Sequence, residues 1–272
     1  MFFSQNMFYL AAFFYFLTWV VCISLRDRGT LLFRCLFSIG LFANFLSAGG
    51  RYYFSWPMMP MFQGPFFLPL FIGILSLKAI WQKQAGCGLL VSVVCFLSLT
   101  AAFFPNDFYL PFLKSRTIFS HLFFLLGVTG KACFLIAGIH AIDHIRQQNR
   151  LKKQVIWGDR GRAARWIVWG FVFWTLSMFS GETWSYLSWG SPVVWNDATV
   201  TMAMATWFYY GCFLHLYLLK TWGAEKRVYA ALFGAVLVLI FNCCPELGEF
   251  QMPDPEYFQF WKLFAGKPWI IS

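Results

Sequence analysis

Long apolar stretches alternate with short polar connections along the whole chain. Eight of these stretches read as membrane spans, at 7–25, 31–48, 64–81, 86–104, 118–141, 166–184, 199–219 and 228–243. A hydrocarbon core of about 30 Å takes roughly 20 apolar residues per helix, so the second, third and last stretches are short for the task. Hydrocarbon offers no partners to backbone N–H and C=O groups, and each span is therefore expected to be helical. The pattern predicts an all-α integral membrane protein, a bundle of about eight transmembrane helices with a Trp-rich external loop. No internal repeat, low-complexity tract or heptad pattern stands out.

Composition leads to the same class. Of 272 residues, 60% are hydrophobic, 22% aromatic and only 12% charged. A soluble domain takes roughly 25% charged residues to cover its surface. The spans and their connections use up the chain and leave no room for a separate soluble domain.

The formal charge of +10 becomes informative through its placement. With the N-terminus outside, the inside connections hold Arg26, Arg28, Lys78, Lys83, Arg146, Arg150, Lys152, Lys153, Arg160, Arg162, Arg165, Lys220, Lys226 and Arg227. The outside connections hold Arg51, Lys114, Arg116, Lys262 and Lys267. Fourteen against five follows the positive-inside rule and sets the orientation. The basic balance is a topology signal, and no nucleic acid partner is expected. The first apolar run lacks a basic region ahead of it and is long for a signal-peptide core, so it reads as a retained first span.

Eight cysteines occur, at 22, 35, 87, 95, 133, 212, 243 and 244, mostly within spans, where a free thiol acts as a small apolar group. No C-x-x-C-H is present, so the chain carries no covalent c-type haem of its own. The adjacent Cys243 and Cys244 at the outer end of the last span leave a thiol-relay role open beside plain packing.

The most unusual segment runs from Gly181 to Asp197 between the sixth and seventh spans. It holds Trp184, Trp189 and Trp195, with Gly190 and Pro192 as helix breakers, and carries no Lys or Arg. Two readings stay open. It is an aromatic belt at the membrane–water interface, or a platform for a large flat apolar ligand, since indole faces stack on π-systems while their N–H groups still find partners. The four histidines favour the second. His121 lies one turn inside the outer end of the fifth span, and His215 near the inner end of the seventh. His140 and His144, four residues apart, share a face at the inner end of the fifth span. Intramembrane His usually faces the bundle interior, and neutral imidazole is the commonest axial ligand of haem iron. For His140 and His144, interfacial snorkelling competes with a role as a second inner ligand. Lys131, mid-span, marks a functional or ion-paired site, with no obvious acidic partner in the sequence.

With these residues in place, the chain resembles the WWD-domain haem-handling proteins of cytochrome c assembly, and most of all their CcsA-type branch. That branch carries G-x-x-W-x-x-x-x-W-G-S-x-W-x-W-D, followed by a helix ending T-W…L-H. Gly181, Trp184, Trp189, Gly190, Ser191 and Trp195 match in register, and Thr206, Trp207, Leu214 and His215 match after one inserted residue. Arg165 and Gly170-Phe171 match the entry to this span, and Leu113-Lys-Ser…His121 resembles the segment that supplies an outside axial histidine. The resemblance is strong over 110–245 and weaker from Arg51 onward. It divides the chain into N-terminal helices (1–109), an assembly core (110–245) and an external C-terminal tail (246–272).

The resemblance implies non-covalent haem b in transit, held at the outer face by His121, Trp184, Trp189, Trp195 and Asp197, with His215 as an intramembrane ligand. It implies haem, an apocytochrome c, other cytochrome c assembly membrane proteins and the lipid bilayer as partners. A bacterial plasma membrane with the tryptophan loop on the periplasmic side is the expected location. Several positions depart from the family pattern. One family tryptophan is Val193, and the motif Asp is Asn196 or the shifted Asp197. The first intramembrane His aligns with Trp56, and Asn242-Cys-Cys-Pro-Glu-Leu-Gly stands where a second outside His belongs. The sixth position of an outer haem then falls to water, to a side chain such as Met252 or to a partner protein. No Ser-His-Asp set, phosphate-binding glycine loop or zinc constellation is visible, so a haem-handling protein rather than an enzyme is expected. The rival readings are a membrane transporter or channel subunit, with Lys131 and the histidines lining a solute path, and a cytochrome b-like redox anchor.

Overall fold

A computed structural model describes residues 2–24, 30–55, 64–82, 84, 86–105, 117–151, 160–193, 198–216 and 222–251. Among them eight α-helices follow in order: α1 (Phe2–Ser24), α2 (Thr30–Ser55), α3 (Gly64–Trp81), α4 (Cys87–Phe103), α5 (Ile118–Leu151), α6 (Arg160–Trp189), α7 (Ala198–His215) and α8 (Ala224–Val238). A π-helical turn, Leu239–Cys243, and a 3-10 turn, Cys244–Glu246, continue α8. No strand occurs among the described residues. The protein is thus the all-helical integral membrane bundle that the apolar pattern predicts.

Five segments are long and apolar enough to cross a bilayer by length and composition: Phe3–Ser24, Leu31–Tyr53, Gly64–Trp81, Ile118–Asn149 and Glu225–Glu246. Helix α4 is apolar but shorter. Along α6, Val168, Val172, Leu176 and Phe179 stand exposed. These positions recur every three or four residues and form one apolar stripe, the face a span presents to lipid.

Helix α5 is the centre of the bundle: 72% of its apolar window is buried, against 28% for α1. It packs most extensively on α6, then on α8 and α3, while α1 packs on α2 and α4. Lipid tails are as apolar as leucine, so helices in a membrane associate through close van der Waals approach at small residues. That is visible at Gly130, where an added Cβ would sit 3.2 Å from the Gly170 carbonyl oxygen and 3.2 Å from the Trp174 nitrogen. An added Cβ on Gly138 would overlap Ala235 of α8. Phe134 stacks on Tyr210 at 3.6 Å between centroids and ties α7 to the same core.

Two expectations are corrected. Helices overrun the apolar stretches, so charges assigned to connections lie on helices. Arg51 is inside α2, 2% exposed, with its guanidinium 3.8 Å over the Phe66 ring, and is no loop charge. Residues 181–189, expected in an external loop, are the last turns of α6. Their backbone continues the helix until Gly190, whose φ of 73° is the left-handed conformation that ends it. The Gly190 N–H donates to the Tyr186 carbonyl at 2.9 Å, and the Ser185 hydroxyl to the Ser191 carbonyl at 2.7 Å, closing the end.

Candidate functional site

The antiparallel register of α5 and α6 sets the geometry at the tryptophan end of the bundle. An added Cβ on Gly181 would meet Phe123 at 2.8 Å, so residues 181–184 lie level with 121–123. Trp184 is only 5% exposed and stacks on Phe123 at 6.1 Å and 23°. Trp189, 58% exposed, meets Trp184 edge-on at 5.2 Å. Buried indole N–H groups ordinarily find a partner, but that of Trp184 has none among the described residues. Trp195 and Asp197, like Trp56 and Met252, lie outside the described residues.

His121 is at the same level but faces the other way. Its ring lies 5.9 Å from Tyr52 of α2, which also meets Phe67 at 5.6 Å and Phe124 at 6.5 Å. Residues 121 and 123 are about 200° apart around a helix with 3.6 residues per turn. The structure therefore groups Trp184 and Trp189 with Phe123 on the α6 side of α5, and His121 with Tyr52, Phe67 and Phe124 on the α2–α3 side.

Lys131 does have an acidic partner. Its Nζ forms an ion pair with Glu246 and donates to the Asn242 carbonyl at 2.9 Å. Asn242 lies in the last turn of the helical segment that continues α8, where carbonyls lack an intrahelical partner. Asn242 Nδ2 then donates to the Thr206 hydroxyl at 2.9 Å, which itself donates to the Met202 carbonyl at 2.9 Å. Glu246 sits against the Gly64 backbone at the start of α3. One buried polar network thus links α5, α7 and the end of α8, packed against the start of α3. The sequence offered half of this signal, because an intramembrane lysine demands a partner. It could not say that α8 would end at the depth of Lys131.

At the basic end, the three remaining histidines are in separate environments. His144 is buried with neither ring nitrogen hydrogen-bonded among the described residues. His140 lines a cavity of about 680 Å³ between α3, α4, α5 and α6. His215 is exposed, with Nδ1 2.7 Å from the Gly211 carbonyl oxygen. Cys243 is buried and Cys244 exposed, and neither is in a disulfide. No cluster of three His, Cys, Asp or Glu arranged for a metal ion occurs among the described residues.

Trp207, a family-register residue of α7, helps dock that helix on α6. Trp207 Nε1 donates to the Thr175 hydroxyl at 2.9 Å, and its ring stacks on Phe171 at 5.7 Å. Trp174 Nε1 donates to the Ala203 carbonyl at 3.2 Å.

The fold and these features define a multi-pass helical membrane protein with an aromatic end, a basic end and a charged network locked between them. The chain belongs to the cytochrome c assembly protein family, whose model matches residues 2–244. It is similar to the cytochrome c biogenesis protein CcsA of Guillardia theta, 34% identical over 76 residues, covering 28% of this chain and 25% of that protein. The CcsA of Prochlorococcus marinus strain AS9601 is 36% identical over 76 residues, covering 28% and 24%. That of Chlorella vulgaris is 37% identical over 71 residues, covering 26% and 22%. The aligned segment thus amounts to about a quarter of these relatives' length. Among solved structures, the cytochrome c haem lyase CcmF shares the fold, with a TM-score of 0.61 and 17% identity over 97% of this chain and 49% of that one.

Proposed function

We propose that this chain holds haem at its tryptophan end and presents it for cytochrome c assembly. The observation that carries this reading is the level placement of His121 and Trp184 at one end of a bundle of the cytochrome c assembly family. His121 would supply an axial imidazole from the α2–α3 side of α5, and Trp184 and Trp189 would hold the haem from the α6 side, with Trp195 and Asp197 as the further candidates that the family resemblance names. The acceptor-less indole N–H of Trp184 fits a ligand that carries carboxylates, as haem does. His215, its tautomer set by Gly211, would be an intramembrane ligand, with His140 and His144 as candidates for a second. Bound haem would supply vinyl groups to the cysteine thiols of an apocytochrome. This chain's own residues hold and orient haem and exclude water, so bond formation depends on apocytochrome and on other assembly proteins.

The full chain, expressed with ample haem and purified in detergent, is expected to show a Soret band. A colourless protein under the same supply would sink the haem reading and leave the transporter reading in its place.

The distribution of lysine and arginine supports a tryptophan end outside the membrane. Reporter fusions after Gln148 are expected to read cytoplasmic, and fusions after Ser191 external. An external signal at Gln148 would invert the bundle and put the tryptophans on the wrong side for an exported apocytochrome.

A further inference from the structure

The cavity at the basic end is built unlike the rest of the bundle. Its apolar wall is Leu75 of α3, Leu90 of α4 and Trp166, Trp169 and Phe173 of α6. Its polar rim is cationic, with Lys78 from the last turn of α3 and Arg162 and Arg165 from the first turns of α6. No carboxylate is among the described residues that line it. Its volume of about 680 Å³ lies within the roughly 300–1,000 Å³ range of small-molecule sites.

Its position narrows the ligand. Lys78 and Arg165 are exposed, and so is Trp169, which stands next to Val168 at the start of α6's apolar stripe. The opening therefore lies where the lipid-facing surface of α6 gives way to charged residues, at headgroup depth. Three cations near an apolar wall, with no acid among the lining residues, call for an anion joined to an apolar body. Basic pockets between transmembrane helices at this boundary suit anionic headgroups. Guanidinium groups add bidentate geometry for phosphate oxygens.

We infer that this cavity binds an acidic phospholipid, its phosphate between Lys78, Arg162 and Arg165 and its acyl chains against Trp166, Trp169 and Phe173. The inference does not rest on haem at the tryptophan end.

The test uses the full chain purified from micelles that contain equal phosphatidylglycerol and phosphatidylcholine, with retained lipid read by native mass spectrometry. The wild-type protein is expected to retain phosphatidylglycerol preferentially. The R162Q/R165Q variant is expected to lose that preference roughly tenfold, and K78Q to lose part of it. The R146Q/K226Q variant removes the same charge from exposed positions that do not line the cavity, and is expected to keep the preference. Circular dichroism and gel filtration confirm that each variant folds, and K78Q, at an exposed side chain, remains informative if the double variant does not. Equal retention of the two lipids by the wild-type protein overturns the inference. So does equal loss in R146Q/K226Q, which would reduce it to general surface charge. Haemin displacing phosphatidylglycerol one for one also overturns it, by assigning the cavity to haem.

Discussion

Replacing Lys131 with methionine is expected to lower the unfolding free energy by about 3–5 kcal/mol, the usual cost of removing one partner from a buried ion pair. The size follows from what is left behind. Glu246 would keep a carboxylate against the Gly64 backbone with no cation, and the Asn242 carbonyl would lose its donor. Each stranded group carries a desolvation penalty that the bundle interior does not relieve. Glu246→Leu is expected to cost a similar amount by stranding the ammonium. The double variant, Lys131→Met with Glu246→Leu, should be much less destabilised than the sum of the two, because apolar groups of similar volume often replace a buried pair at little cost. Denaturant unfolding in mixed micelles, run as a double-mutant cycle, measures the coupling. If Lys131→Met unfolds at the wild-type midpoint, the pair does not hold α8 to α5.

For the haem reading, the largest expected effect is at His121. Axial ligation is a directional bond to one nitrogen, whereas stacking is spread over several rings. His121→Ala is expected to abolish or shift the Soret band, and His121→Gly with added imidazole to restore part of it. The tryptophans need a variant chosen by burial. Trp184 is packed on Phe123, and truncating it to alanine would cost about 3–5 kcal/mol of packing, whatever it does to haem. Trp189 is largely exposed, so Trp189→Ala should weaken haem retention while leaving the band position and the fold unchanged. Wild-type haem content and spectrum in His121→Ala would remove His121 from the ligand set. The placement of His121 and Trp184 on opposite sides of α5 makes this the discriminating variant, because a haem stacked only on the α6 side would not reach His121.

Much of the fold was legible in the sequence. The apolar stretches at 64–81 and 86–104 became α3 (Gly64–Trp81) and α4 (Cys87–Phe103) almost residue for residue, because desolvation alone drives an apolar run into a hydrogen-bonded helix. Helices such as α5 and α6 ran further than their apolar cores, since water beyond the bilayer lets polar turns continue a helix with no penalty. That is why residues 181–189, read as a loop from their tryptophans and serines, are helical up to Gly190.

The sequence by itself determined the class of protein, the approximate bounds of most helices among the described residues and the motif that marks its family. It also marked Lys131 as a functional or ion-paired site. Only the tertiary structure decided which, and with what partner. It set Glu246 and the Asn242 carbonyl on Lys131, turned His121 toward Tyr52 and Trp184 toward Phe123, and opened the basic cavity between four helices. Hydropathy says that a segment is buried in lipid, but it is nearly blind to rotation and register between helices. Those are decided where glycines such as Gly130 and Gly170 let two backbones meet, a property of facing surfaces that no single stretch of chain contains.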